Sequence, residues 1–442
     1  MKSDLSRRLV FRLFAGITRE RLVIVEDGRR YEFGPPDGAP RAEVTVHSPG
    51  VWRQLLRGST GLAESYTDGL WEADDLVALI RVGARNMHAL DRVRRRWHPL
   101  LRVGQQLADM VPPNDRQGSR RNISAHYDLG NQLLSLFLDQ TMVYSCALFE
   151  SPDVTLEHAQ LAKLERICKQ LRLGPDDHLL EIGSGWGAMA VHAAARYGCR
   201  VTTTTISQEQ HALAGRRVRE AGLEDLVTVL LKDYRDLEGT YSKLVSIEMI
   251  EAVGWQYFAT YFERCSALLE PDGLMLLQAI TIDDRAYEVE KASKSFINTQ
   301  VFPGGCLPSL EVIHRCVAKR TDLRTIGLED ITEHYVETLR RWRAAFLDRA
   351  ALAGELGYDL RFRRMWELYL AYVEAGFGEC RIGDVQMLLA KPEWRGRLPL
   401  RSNLRSRLAA EDAAEDAGED QARTVGARAD DHLAGVPLDH AG

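Results

Sequence analysis

The sequence predicts an α/β fold: a parallel β-sheet covered by helices on both faces, with a smaller α+β domain before it. Three observations carry this. Between residues 122 and 395, short apolar runs alternate with segments of helical periodicity, the pattern of strand–helix–strand units rather than of hairpins. One run, HLLEIGSGWG, passes from strand into a glycine loop and then into a helical pattern. The chain is also long enough, at 442 residues and 45% hydrophobic content, for two or three domains with full cores.

Element by element, HLLEI is the first strand of the sheet, and AMAVHAAARYG is the helix after its loop, ended by Gly198. CRVTTTTIS is a β-branched second strand. LVTVLLKDYRDL, KLVSIEMIEAVG and GLMLLQAITI supply the third, fourth and fifth. Ahead of them, residues 1–115 form the smaller domain. RLVFRLFAGIT has helical spacing with arginines between its apolar positions. RLVIVEDGRRYEFG reads as a hairpin turning at Asp27-Gly28. RVRRRWHPLLRVG is a basic run around Trp97, and DMVPPNDRQGSRRNIS is a linker rich in turn residues. The sheet domain is expected over 116–395. A tail over 396–442, rich in Ala, Asp and Glu, is expected to be disordered. No internal repeat is evident.

The net charge of −6 is unevenly spread. From Ala409 to the end there are nine acids and two arginines, a net of −7; from Met1 to His126 there are 21 basic residues and 15 acids, a net of +6. A basic front part suits a negative surface. The seven cysteines include no CxxC pair, which argues for reduced thiols in a cytoplasm and against a zinc site. Arginines interrupt the N-terminal apolar stretches, so no secretory signal is predicted. No apolar run approaches the ~20 residues that span a bilayer. The expected location is cytoplasmic, peripheral at the inner face of the membrane.

Two features carry chemistry. In SIEMIEAVG, Glu248 and Glu251 stand at the end of an apolar strand, where burying an unpaired carboxylate costs several kcal/mol, roughly. In EIGSGWG, Gly183, Gly185 and Gly187 follow Glu181. Such a loop lets backbone approach a ligand lying across the carboxyl ends of the strands. Its spacing is not that of a dinucleotide fingerprint.

EIGSGWG followed by TISQEQ resembles the S-adenosylmethionine site of Rossmann-like class I methyltransferases. With HYDLGNQLLSLFLDQTMVYSCALF, VSIEMIEAVG, FPGGCLPS and HYVETLRRWRAAF, the chain resembles the cyclopropane-fatty-acid synthase family from His126 to about Gln386. The resemblance implies transfer of the methyl of S-adenosylmethionine to the double bond of an unsaturated acyl chain in a phospholipid. A carbocation then loses a proton to a bound bicarbonate. For the cofactor it points to Tyr144, Ser145, Glu181, Gly183, Gly185, Gly187, Thr205, Ser207, Gln210, Asp233 and Tyr234. For the bicarbonate pocket it points to Cys146, Glu251, the backbone at Ile280, and Tyr335, with Glu329 supporting the tyrosine. Gln278 occupies the family's histidine position; its amide can bind an anion but cannot be protonated. Tyr144, Trp255, Tyr287 and Tyr335 are candidates for stabilising the cation.

A ring product is the first expectation. A methylene-branched chain, passed to a partner reductase, is the alternative. Peripheral contact with an anionic membrane is expected, and a homo-oligomer is left open. A methyltransferase for a soluble small molecule is a rival reading, separable by lipid dependence. Nucleic-acid binding is not expected, since no aromatic-interleaved basic stripe or named motif is present.

Overall fold

A computed structural model describes residues 2–86, 130–291 and 293–396. The basic run around Trp97, the linker over 109–124, the start of the family-like segment at His126 and the acidic tail from 397 lie outside the described residues.

The N-terminal part opens with a helix over Lys2–Phe14, then strands β1 (Arg21–Glu26), β2 (Arg29–Phe33), β3 (Arg41–Val46) and β4 (Trp71–Ala73), ordered β2-β1-β3-β4. The hairpin falls where Asp27-Gly28 puts it. β1 and β2 pair antiparallel, and both turn residues have positive φ (50° and 73°), as a tight hairpin turn requires.

The larger sheet is built from β5 (His178–Ile182), β6 (Arg200–Thr205), β7 (Val227–Leu231), β8 (Tyr241–Ile247), β9 (Leu269–Ile282), β10 (Arg324–Asp330) and β11 (Ile382–Ala390). Its order is β10-β11-β9-β8-β5-β6-β7. The five anticipated strands, β5 to β9, pair in parallel. Beyond these five, β11 inserts antiparallel between β9 and β10 at one side of the sheet. From β5 the chain runs outward to β6 and β7, then returns to place β8 on β5's other side. That reversal opens a crevice at the carboxyl ends of β5 and β8.

The two sheets share one hydrophobic cluster. Trp52, Tyr66 and Trp71 of the N-terminal part belong to it together with Phe137, Trp342 and Trp366. The helix Leu360–Gly378 is the contact element. Arg364 donates to the Tyr66 carbonyl at 2.7 Å and lies 4.2 Å from the Tyr66 ring centroid. Arg81 and Arg85 both donate to Glu379, at 2.7 and 2.8 Å.

Candidate active site

A cavity of about 440 Å³ lies at the crevice, within the range of roughly 300–1,000 Å³ usual for small-molecule sites. Its wall has a polar part and an apolar part.

The polar part begins at β5. Glu181 is buried, accepts a 2.6 Å hydrogen bond from Thr203 Oγ1, and is pushed up to about 8 by burial. The next turn carries Gly183 and Gly185. A Cβ at Gly183 would sit 3.0 Å from Met249. At Gly185, where φ is +47°, a Cβ would meet nothing within 4 Å. Gly185 therefore lines open space that a ligand can enter against bare backbone. Thr205 Oγ1 donates to Gln210 Oε1 at 2.7 Å, and Ser207 Oγ caps the following helix by accepting from Gln210 N at 3.3 Å. Asp233 accepts two bonds from the Arg235 guanidinium, at 2.9 and 2.7 Å. Tyr144, Ser145, Glu181, Gly183, Gly185, Thr205, Gln210, Asp233 and Tyr234 all line the cavity. Ser207 and Gly187 stand behind the wall. The first caps a helix; at the second a Cβ would come within 3.0 Å of Ala214.

The apolar part is aromatic. Tyr335 stacks on Phe377 with centroids 4.3 Å apart, and Phe302 meets Tyr369 edge-on at 5.8 Å. Tyr144 OH and Tyr369 OH are hydrogen-bonded at 2.8 Å. Trp255 and Tyr287 are corrected out of this set: both lie off the cavity wall and flank the Lys291 ammonium, at 5.2 and 5.4 Å.

The two strand-end glutamates have different environments. Glu248 adopts φ +47°, a left-handed conformation costly for a non-glycine residue. Its Oε1 accepts from Cys146 N at 2.8 Å and from Gln278 Nε2 at 2.7 Å. Its Oε2 accepts from Tyr335 OH at 2.7 Å. Glu251, one short 3₁₀ turn later, lines the cavity. Its Oε1 accepts from Ile280 N at 2.6 Å, and its buried Oε2 has no hydrogen-bond partner among the described residues. Burial and then the Glu248 charge push the Glu251 carboxyl up to about 8.

Behind this pair is a polar layer. Gln278 Nε2 also donates to Asp384 Oδ2 at 3.1 Å, and Gln386 Nε2 donates to Gln278 Oε1 at 3.0 Å. Burial, then the Glu248 charge, raise the Asp384 carboxyl well above its usual range, and burial raises the Glu248 carboxyl as well. The fully buried Lys163 donates to Ser145 Oγ at 2.5 Å, and its charge favours ionised Glu248. The Cys146 thiol is buried and driven well above its usual pKa by desolvation. It is a neutral thiol, off the cavity wall.

Of the residues assigned to the base pocket, the structure brings Glu251, Ile280 and Tyr335 to the wall. Gln278 and Cys146 stand behind it, bonded to Glu248. Glu329 is corrected. It is exposed on β10 and paired with Arg166, while Glu248 is the carboxylate that holds Tyr335. Asp384, Gln386 and Lys163 were not anticipated. A signal existed for the first two: in IGDVQMLLA, polar residues two apart share one face of an apolar strand, and the register sets Gln386 opposite Gln278.

The chain matches the mycolic acid cyclopropane synthetase family model over residues 114–387. It is 39% identical to tuberculostearic acid methyltransferase UfaA1 of Mycobacterium tuberculosis, over 78% of this chain and 83% of that protein. It is 35% identical to the cyclopropane-fatty-acyl-phospholipid synthase of Escherichia coli K12, over 79% and 87%. The crystal structure of mycolic acid cyclopropane synthase CmaA1 complexed with SAH and CTAB superposes with a TM-score of 0.58 at 31% identity, covering 62% of this chain and 98% of that one. Together with the glycine-loop cavity, these similarities establish that the chain belongs to the mycolic acid cyclopropane synthetase family and is an S-adenosylmethionine-dependent methyltransferase of the cyclopropane-fatty-acyl-phospholipid synthase type.

Proposed function

We propose that this enzyme methylates the double bond of an unsaturated acyl chain in a phospholipid and closes a cyclopropane ring. The observation that carries the reading is a single cavity whose wall includes the glycine loop, an aromatic apolar surface and the Glu251 carboxyl.

Glu181, Gly183, Gly185, Thr205, Gln210 and Asp233 would hold S-adenosylmethionine, which supplies an activated methyl group when bound. The residues fit it: bare backbone at Gly185 opens onto the cavity, beside a row of polar side chains. An alkene is a poor nucleophile, so the apolar wall contributes mainly by fixing the acyl chain in line and close. The same wall excludes water, which would otherwise trap the cation. Tyr144, Phe302, Tyr335 and Phe377 offer ring faces to positive charge developing on the chain.

Bicarbonate does not fit these residues. Both N–H groups of the Gln278 amide are engaged by Glu248 and Asp384, and the Ile280 N–H is engaged by Glu251.

A second reading ends the same transfer in a methylene-branched chain for a partner reductase. It is favoured by the higher identity to tuberculostearic acid methyltransferase UfaA1, 39%, than to the Escherichia coli synthase, 35%.

Partition of label from methyl-labelled S-adenosylmethionine tests the class of acceptor. Label is expected in the lipid extract of oleoyl-phospholipid vesicles. Label confined to soluble acceptors would overturn the reading.

A further inference from the structure

The cavity wall presents the Glu251 carboxyl beside N–H groups that are already engaged. An anion seated beside Gln278 and Ile280 would find their N–H groups already bonded to carboxylates. It would also face the Glu248 carboxylate, and like charges at short range disfavour each other. Glu248 is saturated by three donors. Asp384 does not line the cavity. Glu251 does, and its Oε2 is a buried carboxylate oxygen that no donor reaches among the described residues. The Ile280 N–H fixes Oε1, and so fixes the orientation of the carboxyl plane.

We propose that Glu251 is itself the base: its Oε2 takes the proton from the methylated acyl chain directly, in place of a captured anion. The assignment rests on the methyl-transfer reading above. In that reaction the alkene π pair forms the new carbon–carbon bond, and the methyl's former bonding pair stays on sulfur. One C–H bond of the new methyl then breaks. Its electron pair closes the ring onto the cationic carbon, and the proton passes to Glu251 Oε2. The neutral carboxyl returns the proton to solvent after the product leaves. Burial, and then the charge of Glu248, which Tyr335, Gln278 and the Cys146 amide hold in place, keep the basicity of Glu251 high. Glu248 is thus a positioning and tuning residue.

The test compares wild-type enzyme in buffer stripped of carbon dioxide with the same buffer plus added bicarbonate, using oleoyl-phospholipid vesicles and labelled S-adenosylmethionine. The expected result is the same rate of lipid methylation in both. Glu251→Gln should lose roughly 10²–10⁴ in turnover, the scale of a general base, while calorimetry shows SAH binding retained. Lipid methylation that collapses without bicarbonate and returns on its addition would overturn the assignment and leave the methyl-transfer reading standing. No methylated lipid in either buffer would overturn that reading, and this one with it.

Discussion

Tyr335 donates its phenolic hydrogen to Glu248 Oε2 at 2.7 Å, joining the helix Thr332–Asp348 to the end of β8. Tyr335 is buried and Glu248 half-buried, and the bond holds the aromatic wall and the carboxylate layer in one arrangement. Tyr335→Phe should leave Glu248 Oε2 unsatisfied, at a cost of about 1–3 kcal/mol. Thermal unfolding should show that loss, with a lower kcat and little change in cofactor affinity. Unchanged stability and kcat would show that the bond is not a functional link.

Glu329 and Glu248 should separate cleanly. Glu329→Gln removes an exposed ion pair with Arg166 and should leave turnover unchanged, since exposed pairs contribute about 0–1 kcal/mol. Glu248→Gln removes a charge that three donors converge on and should lower turnover strongly. Steady-state rates on vesicle substrate decide this, and the reverse order would return Glu329 to the site.

Gly185→Val should block the cofactor. The position has φ +47° and faces open cavity space. A branched side chain there is strained by roughly 1–2 kcal/mol and occupies the ligand's approach. Calorimetry should show SAH affinity reduced at least tenfold, roughly 1.4 kcal/mol, in a protein that still folds. Retained affinity would remove this loop from the cofactor site.

pH should move rate and stability in opposite directions. Burial raises the Glu181 and Glu251 carboxyls to about 8, above the ~4.3 of an unfolded chain. Between those values the folded state holds protons that the unfolded state has released. Stability is therefore fully present below about 4 and falls as pH rises toward 8. The rate rises over the upper part of that window as Glu251 ionises. Melting temperatures and kcat across pH 5–9 check both. A Glu251→Gln variant that keeps the full stability slope would place these protons elsewhere.

The N-terminal helix should dock on anionic membrane. Leu5, Leu9 and Leu13 are 63%, 46% and 57% exposed and repeat every fourth residue beside the exposed Arg8 and Arg12. Each basic group contributes about 1 kcal/mol near an anionic surface. Because the N-terminal part shares a core with Trp342 and Trp366, deleting it would expose that core. Point changes are the cleaner probe. Leu5, Leu9 and Leu13 changed together to Gln should lower vesicle sedimentation, and salt should lower it further. Undiminished sedimentation would move the docking surface elsewhere.

Much of this molecule was legible in its sequence because its signals are local. Strand periodicity gave β5 to β9, Asp27-Gly28 gave the hairpin, and the glycine spacing marked the loop that lines the cavity. What escaped depends on distant pairing. β11 reads poorly as a strand because Asp384 and Gln386 interrupt its apolar run, and those residues make sense only opposite Gln278. The family resemblance points to Glu329 as the acid supporting Tyr335, but its side chain lies exposed on β10. Glu248, 87 residues away, reaches the phenol because β8 ends at the crevice. Trp255 and Tyr287 looked like cation-stabilising rings, yet they serve Lys291, a partner that residue type alone does not reveal.

The central claim is that methyl is added to carbon at an acyl double bond. Mass spectrometry of phospholipid recovered after incubation with S-adenosylmethionine tests it most directly, with dioleoyl and dipalmitoyl vesicles compared side by side. The expected result is a gain of one CH₂ in the oleoyl chain and none in the saturated lipid, with a product that resists mild hydrogenation as a ring does. A gain on saturated chains or on the headgroup would contradict it.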